Sequence, residues 1–185
     1  YTNVGATDFG VPGTQFDLMY VKGGELVIND GMFLAQTPKW TINIKDNCVE
    51  SSKITVKGGY FFGYNPAEAD TEPAKYGKLN FVAEGYMVGG FEGMYAVVEA
   101  DADLIKEAIA YGELEYLAIN ADITLDETIT VSNNLTINLL GNTITTTGEY
   151  AAFDLVAGTL VVDNGPNDNR NCLKLLRCCF IDVYK

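Results

Sequence analysis

Residues 25–33 read Glu-Leu-Val-Ile-Asn-Asp-Gly-Met-Phe, and residues 53–61 read Lys-Ile-Thr-Val-Lys-Gly-Gly-Tyr-Phe. The second copy starts 28 positions after the first. In each copy apolar residues alternate (Leu26, Ile28; Ile54, Val56), glycine follows (Gly31; Gly58, Gly59), and a large apolar residue comes next. Alternation at period two marks a strand with one face turned inward. Glycine lets the backbone bend where a side chain would clash. Two fainter echoes, Leu135-Thr-Ile-Asn-Leu-Leu-Gly141 and Leu160-Val-Val-Asp-Asn-Gly165, are 25 residues apart. A strand-and-turn unit that recurs at such a spacing signals stacked repeats, and repeats made of strands signal a parallel β-helix. Equivalent residues of successive passes then lie in columns. Leu26 falls under Ile54, Ile28 under Val56 and Phe33 under Phe61, with Met32 and Tyr60 aligned on the outer side. Burying one such apolar side chain is worth roughly 1.5–3 kcal/mol, so a few columns hold the stack without a cofactor.

The bulk numbers agree with this and exclude some partners. The chain has 185 residues, 48% of them hydrophobic and 20% charged, which is a globular composition. Its 19 glycines suit a turn-rich β protein. A net charge of −13 argues against nucleic acid, whose phosphates need clustered Lys and Arg. No apolar run reaches the roughly 18–20 residues of a membrane span. The chain begins at Tyr1 without a leader pattern, and the expectation is a fragment or a processed product. Four cysteines (Cys48, Cys172, Cys178, Cys179) lack Cys-x-x-Cys spacing, and no histidine completes a zinc set. They read as free thiols.

Three regions are expected: a β-helix segment with closing strands over residues 1–99, a capping helix and the start of a second β-helix segment over 100–169, and an atypical tail over 170–185. In the first, Leu18–Lys22 reads as a short strand. Trp40, Ile42 and Ile44 alternate on one face of a second strand, with Trp40 in the core. Ala67–Lys78 is polar, acidic and interrupted by Pro73, and reads as a long surface loop. Asn80–Val88 and Gly93–Val98 read as two strands joined at Gly89-Gly90. Leu104, Ile105, Ala108 and Ile109 then recur at helical spacing, with Asp101 or Asp103 as N-cap and Gly112 as stop. A helix here would cover the exposed end of the second segment. Strands follow at 117–120, 123–125, 129–131, 135–139, 143–144, 153–155 and 159–162. The tail holds the chain's two arginines, Arg170 and Arg177, and three of its four cysteines, and looks truncated or out of frame.

Leu26–Phe33, Trp40-Thr-Ile-Asn-Ile-Lys-Asp46, Ile54–Pro66 and Asn80-Phe-Val-Ala-Glu-Gly-Tyr86 resemble the pectate-lyase-like right-handed β-helix repeats of gut Bacteroidales bacteria and their phages. Leu117–Leu125 and Leu135–Ile144, after a short helix, resemble the start of another such unit. The likeness covers about residues 17–165. It implies an all-β fold, a right-handed single-stranded parallel β-helix with one short capping helix near residues 101–111. It also implies a place in a phage tail fibre or spike or a bacterial surface adhesin, on a virion or cell surface, with homotrimers as the tail-spike form of assembly. Polysaccharide-degrading enzymes share this fold.

The family's chemistry can be checked against these residues. Lyases of this kind use an arginine base with calcium held by aspartates, and no arginine precedes Arg170. The related hydrolases use aspartates supported by a histidine, and the chain has none. Paired carboxylates can hydrolyse a glycoside, but Asp30, Asp46 and Glu84 read more simply as turn residues or solvated face. No catalytic residue is assigned, and the expectation leans away from an enzyme. Tyr60, Phe62 and Tyr64 cluster near a turn and are the candidate glycan-binding residues, since aromatic faces suit sugar rings. The competing reading is an outward aromatic stack that stiffens the fold. No cofactor is expected. Asp163-Asn-Gly-Pro-Asn-Asp168 has oxygen ligands that could take calcium but lacks the spacing of a calcium loop, and reads as a turn. Gly23-Gly24 and Gly58-Gly59 are not phosphate loops, because no Gly-Lys-Ser/Thr follows.

Overall fold

A computed structural model describes residues 17–70 and 76–164. The described chain is mostly strand with one short α-helix. Its strands are β1 (Met19–Val21), β2 (Gly24–Ile28), β3 (Met32–Phe33), β4 (Ile42–Ile44), β5 (Ser52–Val56), β6 (Gly59–Phe62), β7 (Tyr86–Phe91) and β8 (Met94–Glu99). The helix α1 (Ala102–Ala110) follows. Then come β9 (Tyr116–Asn120), β10 (Ile123–Leu125), β11 (Ile129–Val131), β12 (Leu135–Asn138), β13 (Ile144–Thr146), β14 (Phe153–Leu155) and β15 (Leu160–Asp163). They form two compact units, the first up to Ala83 with Gly93–Val98, the second made of Glu84–Glu92 with the chain from Glu99 onward.

In the first unit each strand of one pass pairs in parallel with the equivalent strand of the next: β1 with β4, β2 with β5, β3 with β6. The register matches Leu26 with Ile54, Ile28 with Val56, Met32 with Tyr60 and Phe33 with Phe61. A third pass begins as Val82 bridges Val56 in parallel. Ile28, Val56 and Val82 are therefore one buried column. Strand β8 runs antiparallel to β6 on its other edge.

The tight corner between β5 and β6 explains its glycines. A Cβ on Gly58 would lie 2.3 Å from the Asn29 carbonyl oxygen, so the passes approach too closely there for any side chain. Gly59 has φ +110° and a Cβ on it would lie 2.7 Å from the Gly31 oxygen, a conformation and a clearance that only glycine meets.

Three details of this region differ from the sequence reading. Residues 38–40 form a 3-10 turn, not the start of a strand, because Pro38 opens it and Thr41 N–H closes back on the Pro38 carbonyl. Trp40 is nevertheless in the core. The expected surface loop after Pro66 is rooted inside: Ala67 and Ala69 are buried, and Ala69 exchanges both backbone hydrogen bonds with Leu79. Gly89 and Gly90 lie within β7 and do not turn the chain. The turn comes at Glu92 and Gly93, which both have positive φ (48° and 75°). Gly89 serves instead as a close-approach site, where a Cβ would meet Leu114 Cδ1 at 3.2 Å.

The second unit repeats the parallel scheme. β9 pairs with β12 and β12 with β15, β10 pairs with β13, and β11 with β14. β7 adds an antiparallel strand beside β9. Leu135 is in register with Leu160, as the 25-residue echo implies. Asp101 caps α1 by accepting the N–H groups of Asp103 and Leu104. Ile105 and Ile109 face inward and join Leu117, Ile119, Leu125, Ile129, Val131, Leu135 and Ile137 in one core.

Candidate functional site

The three candidate aromatics do not share one surface. Along β6, Gly59 and Phe61 point inward while Tyr60 is exposed and Phe62 half-buried. Simple alternation would place Tyr64 outward with them. Gly63 breaks that alternation by taking φ +65°, and Tyr64 turns into the core, 3% exposed. There its ring sits 6.0 Å from that of Phe61, and its hydroxyl donates to the Ile42 carbonyl at 3.4 Å. Burial, and then the charge of Asp70, push its phenol well above the ordinary value. Tyr64 offers no face to an outside ring and is corrected from surface candidate to core residue.

Tyr60 and Phe62 remain, and the sheet gives each a neighbour, one expected from the sequence and one that the sequence reading missed. Met32 lies beside Tyr60 on β3, and Met94 lies opposite Phe62 on β8. Met32 is 58% exposed, Tyr60 46% and Met94 36%. Four apolar side chains therefore form a ridge across three strands of the first unit. The alignment of residues 25–33 with 53–61 made the Met32–Tyr60 half readable. The Met94–Phe62 half needed the antiparallel pairing of β8, which no repeat announces.

The carboxylates singled out earlier occupy turns. Asp30, Asp46 and Glu84 are all exposed, and Asp30 accepts the N–H of Gly31 at 2.7 Å. The acids that make strong contacts are different ones. Lys106 on α1 bridges Asp103, Asp126 and Glu127 at 2.8, 2.9 and 3.1 Å, tying the helix to the β10–β11 turn. Hydrogen bonding to these acids raises the Lys106 ammonium far above its usual value, and the lysine in turn lowers Asp126. Asp122 accepts both the hydroxyl (2.7 Å) and the N–H (2.8 Å) of Thr143, which lowers it too. Lys53 meets Glu25 at 2.8 Å across the β2–β5 pair and lowers that carboxylate. The Lys53–Glu25 and Asp122–Thr143 contacts clip one pass to the next, while Lys106 fastens the helix.

Among the described residues no group of three or more His, Cys, Asp or Glu is placed to hold a metal. Of the candidate calcium stretch, Asp163 and Asn164 are described, and there Asn164 accepts the Gly141 N–H at 3.1 Å. The rest of that stretch, the tail and Cys172, Cys178 and Cys179 lie outside the described residues. Cys48 is a free, half-buried thiol. No described helix is long and apolar enough to cross a membrane. Comparison with protein-family models, curated proteins and solved structures finds no match for the chain.

Proposed function

We propose that the parallel passes of both units belong to a right-handed β-helix, and that the protein is a rigid structural and adhesive segment. Its setting would be a phage tail fibre or spike or a bacterial surface protein, displayed outside the cell against a glycan-rich surface. The observation that carries this reading is the ridge of Met32, Tyr60, Phe62 and Met94 on a backbone held in register by neighbouring strands. A contiguous exposed apolar strip is the kind of surface that contacts a partner. Tyr presents an amphipathic ring at low entropic cost, suited to the apolar face of a pyranose. Single contacts of this kind are weak, and copies held together would gain by avidity.

The test is retention of the full chain on immobilised capsular and plant polysaccharides, with and without calcium, alongside an assay for new reducing or unsaturated ends. Retention that Tyr60→Ala and Phe62→Ala both reduce, without new ends, supports the adhesive reading. New chain ends would replace it with a polysaccharide-degrading enzyme.

A further inference from the structure

The chain has four methionines, Met19, Met32, Met87 and Met94. Their surroundings differ sharply. Met87 is 5% exposed and belongs to the core of the second unit, in register with Ile119 on β9. Met19 is half-buried on β1. Met32 and Met94 are the two exposed ones, and both lie on the ridge. They flank the same strand from opposite sides, since β6 runs between β3 and β8. Met32 is in register with Tyr60 and Met94 with Phe62, so each aromatic of the ridge has a thioether beside it.

This placement decides both reactivity and consequence. A thioether has no proton to lose before it reacts, so access of an oxidant to the sulfur decides which methionine is oxidised. Oxidation converts a flexible apolar side chain into a polar sulfoxide that holds water. A sulfoxide at Met87 would have to sit inside a core. Sulfoxides at Met32 and Met94 sit on the outward face, where they leave the packing alone and turn two of the ridge's four apolar side chains polar. Favourable contact between methionine sulfur and the neighbouring rings is altered at the same step.

We propose that Met32 and Met94 are oxidation sites at which a peroxide turns the ridge from apolar to polar while the fold is kept. Each sulfur donates an electron pair to one peroxide oxygen. The O–O bond breaks, an S–O bond forms, and with hydrogen peroxide one water leaves per methionine. The sulfur is oxidised by two electrons and the peroxide is reduced by two. That a polar ridge adheres less rests on the function proposed above; the sites and the change in surface do not.

Hydrogen peroxide treatment of the native full chain, followed by peptide mass spectrometry and hydrophobic-interaction chromatography, tests this. Met32 and Met94 should each gain one oxygen atom well before Met87 does. The treated chain should elute earlier, with an unchanged far-UV circular dichroism spectrum. A variant with Met32→Leu and Met94→Leu keeps the apolar surface and all four cysteines. It should elute no earlier than the untreated parent and hold that position after treatment. On a polysaccharide that retains the untreated chain, the treated parent should lose retention and the treated variant should keep it. A chain that no polysaccharide retains overturns the adhesive reading alone, because the mass map and the elution shift still decide the oxidation sites. Oxidation of Met87 as early as of Met32 and Met94, an elution time that the added oxygens leave unchanged, or an equal shift in the leucine variant would each overturn the proposal.

Discussion

Phe33 and Phe61, 28 residues apart in the chain, stack with ring centroids 4.7 Å apart and planes inclined by 13°. Phe61 is fully buried and Phe33 is 3% exposed. The pair is the side-chain expression of the β3–β6 register. Phe61→Ala removes one ring from the stack and opens a cavity beside Tyr64, at a cost of about 3–5 kcal/mol. Urea unfolding of the variant should show a lower midpoint with the slope retained. A midpoint close to the parent's would mean that the column carries little of the unit's stability.

Two glycines separate conformation from clearance. Gly24 has φ +83° and open space around its Cβ position, whereas Gly59 has φ +110° and the Gly31 oxygen at 2.7 Å. Gly24→Ala should cost only the left-handed backbone term, about 1–2 kcal/mol. Gly59→Ala should cost distinctly more, because the neighbouring pass must shift as well. Denaturant midpoints of the two variants measured side by side check the order, and equal losses would contradict the close approach at the corner.

Acid should loosen the contacts of three carboxylates. Glu25, Asp122 and Asp126 have their carboxyls lowered below the ordinary range by Lys53, Thr143 and Lys106 respectively. A lowered carboxyl contributes stability that is fully present above its unfolded value near pH 4 and fades as pH falls through the folded value. Thermal midpoints should therefore hold from neutral pH to about pH 5 and fall below about pH 4. Lys106 is shifted upward, so its contribution persists through neutral pH and is lost only in strong alkali. Lys106→Met should lower the neutral-pH midpoint and flatten the acid decline, since Asp126 then loses the largest cause of its lowering.

Tyr60 and Tyr64 should behave as opposites. Tyr60→Ala, at an exposed position, should change stability by no more than about 0.5 kcal/mol while reducing retention on a bound polysaccharide. Tyr64→Ala should destabilise by about 3–5 kcal/mol as a core truncation. The raised Tyr64 phenol should stay protonated until alkaline unfolding, seen as one tyrosinate absorbance step that coincides with loss of the circular dichroism signal. Titration of every tyrosine before unfolding would contradict its burial.

The chain's own repetition made the register readable. The alignment of Glu25–Phe33 with Lys53–Phe61 gives the β2–β5 and β3–β6 pairings residue by residue, including the Glu25–Lys53 ion pair. It works because side chains one pass apart must match in size and polarity to stack. The helix was equally legible, since Asp101, Ile105 and Ile109 carry both its cap and its period.

What resisted reading lay where no local pattern exists. Gly89-Gly90 looks like a turn, but the turn is set by the φ of Glu92 and Gly93, and Gly89 is glycine because Leu114 crowds it from a distant part of the chain. Tyr64 keeps the parity of Tyr60 in the sequence and loses it to a left-handed Gly63. The ridge was half visible: repetition gave Met32 beside Tyr60, and antiparallel pairing added Met94 beside Phe62. The sequence alone determined which residues stack, because stacking is a periodic constraint written into every pass. Only the tertiary structure decided which side chains meet solvent at corners, because a single backbone torsion or an antiparallel neighbour overrides the period there.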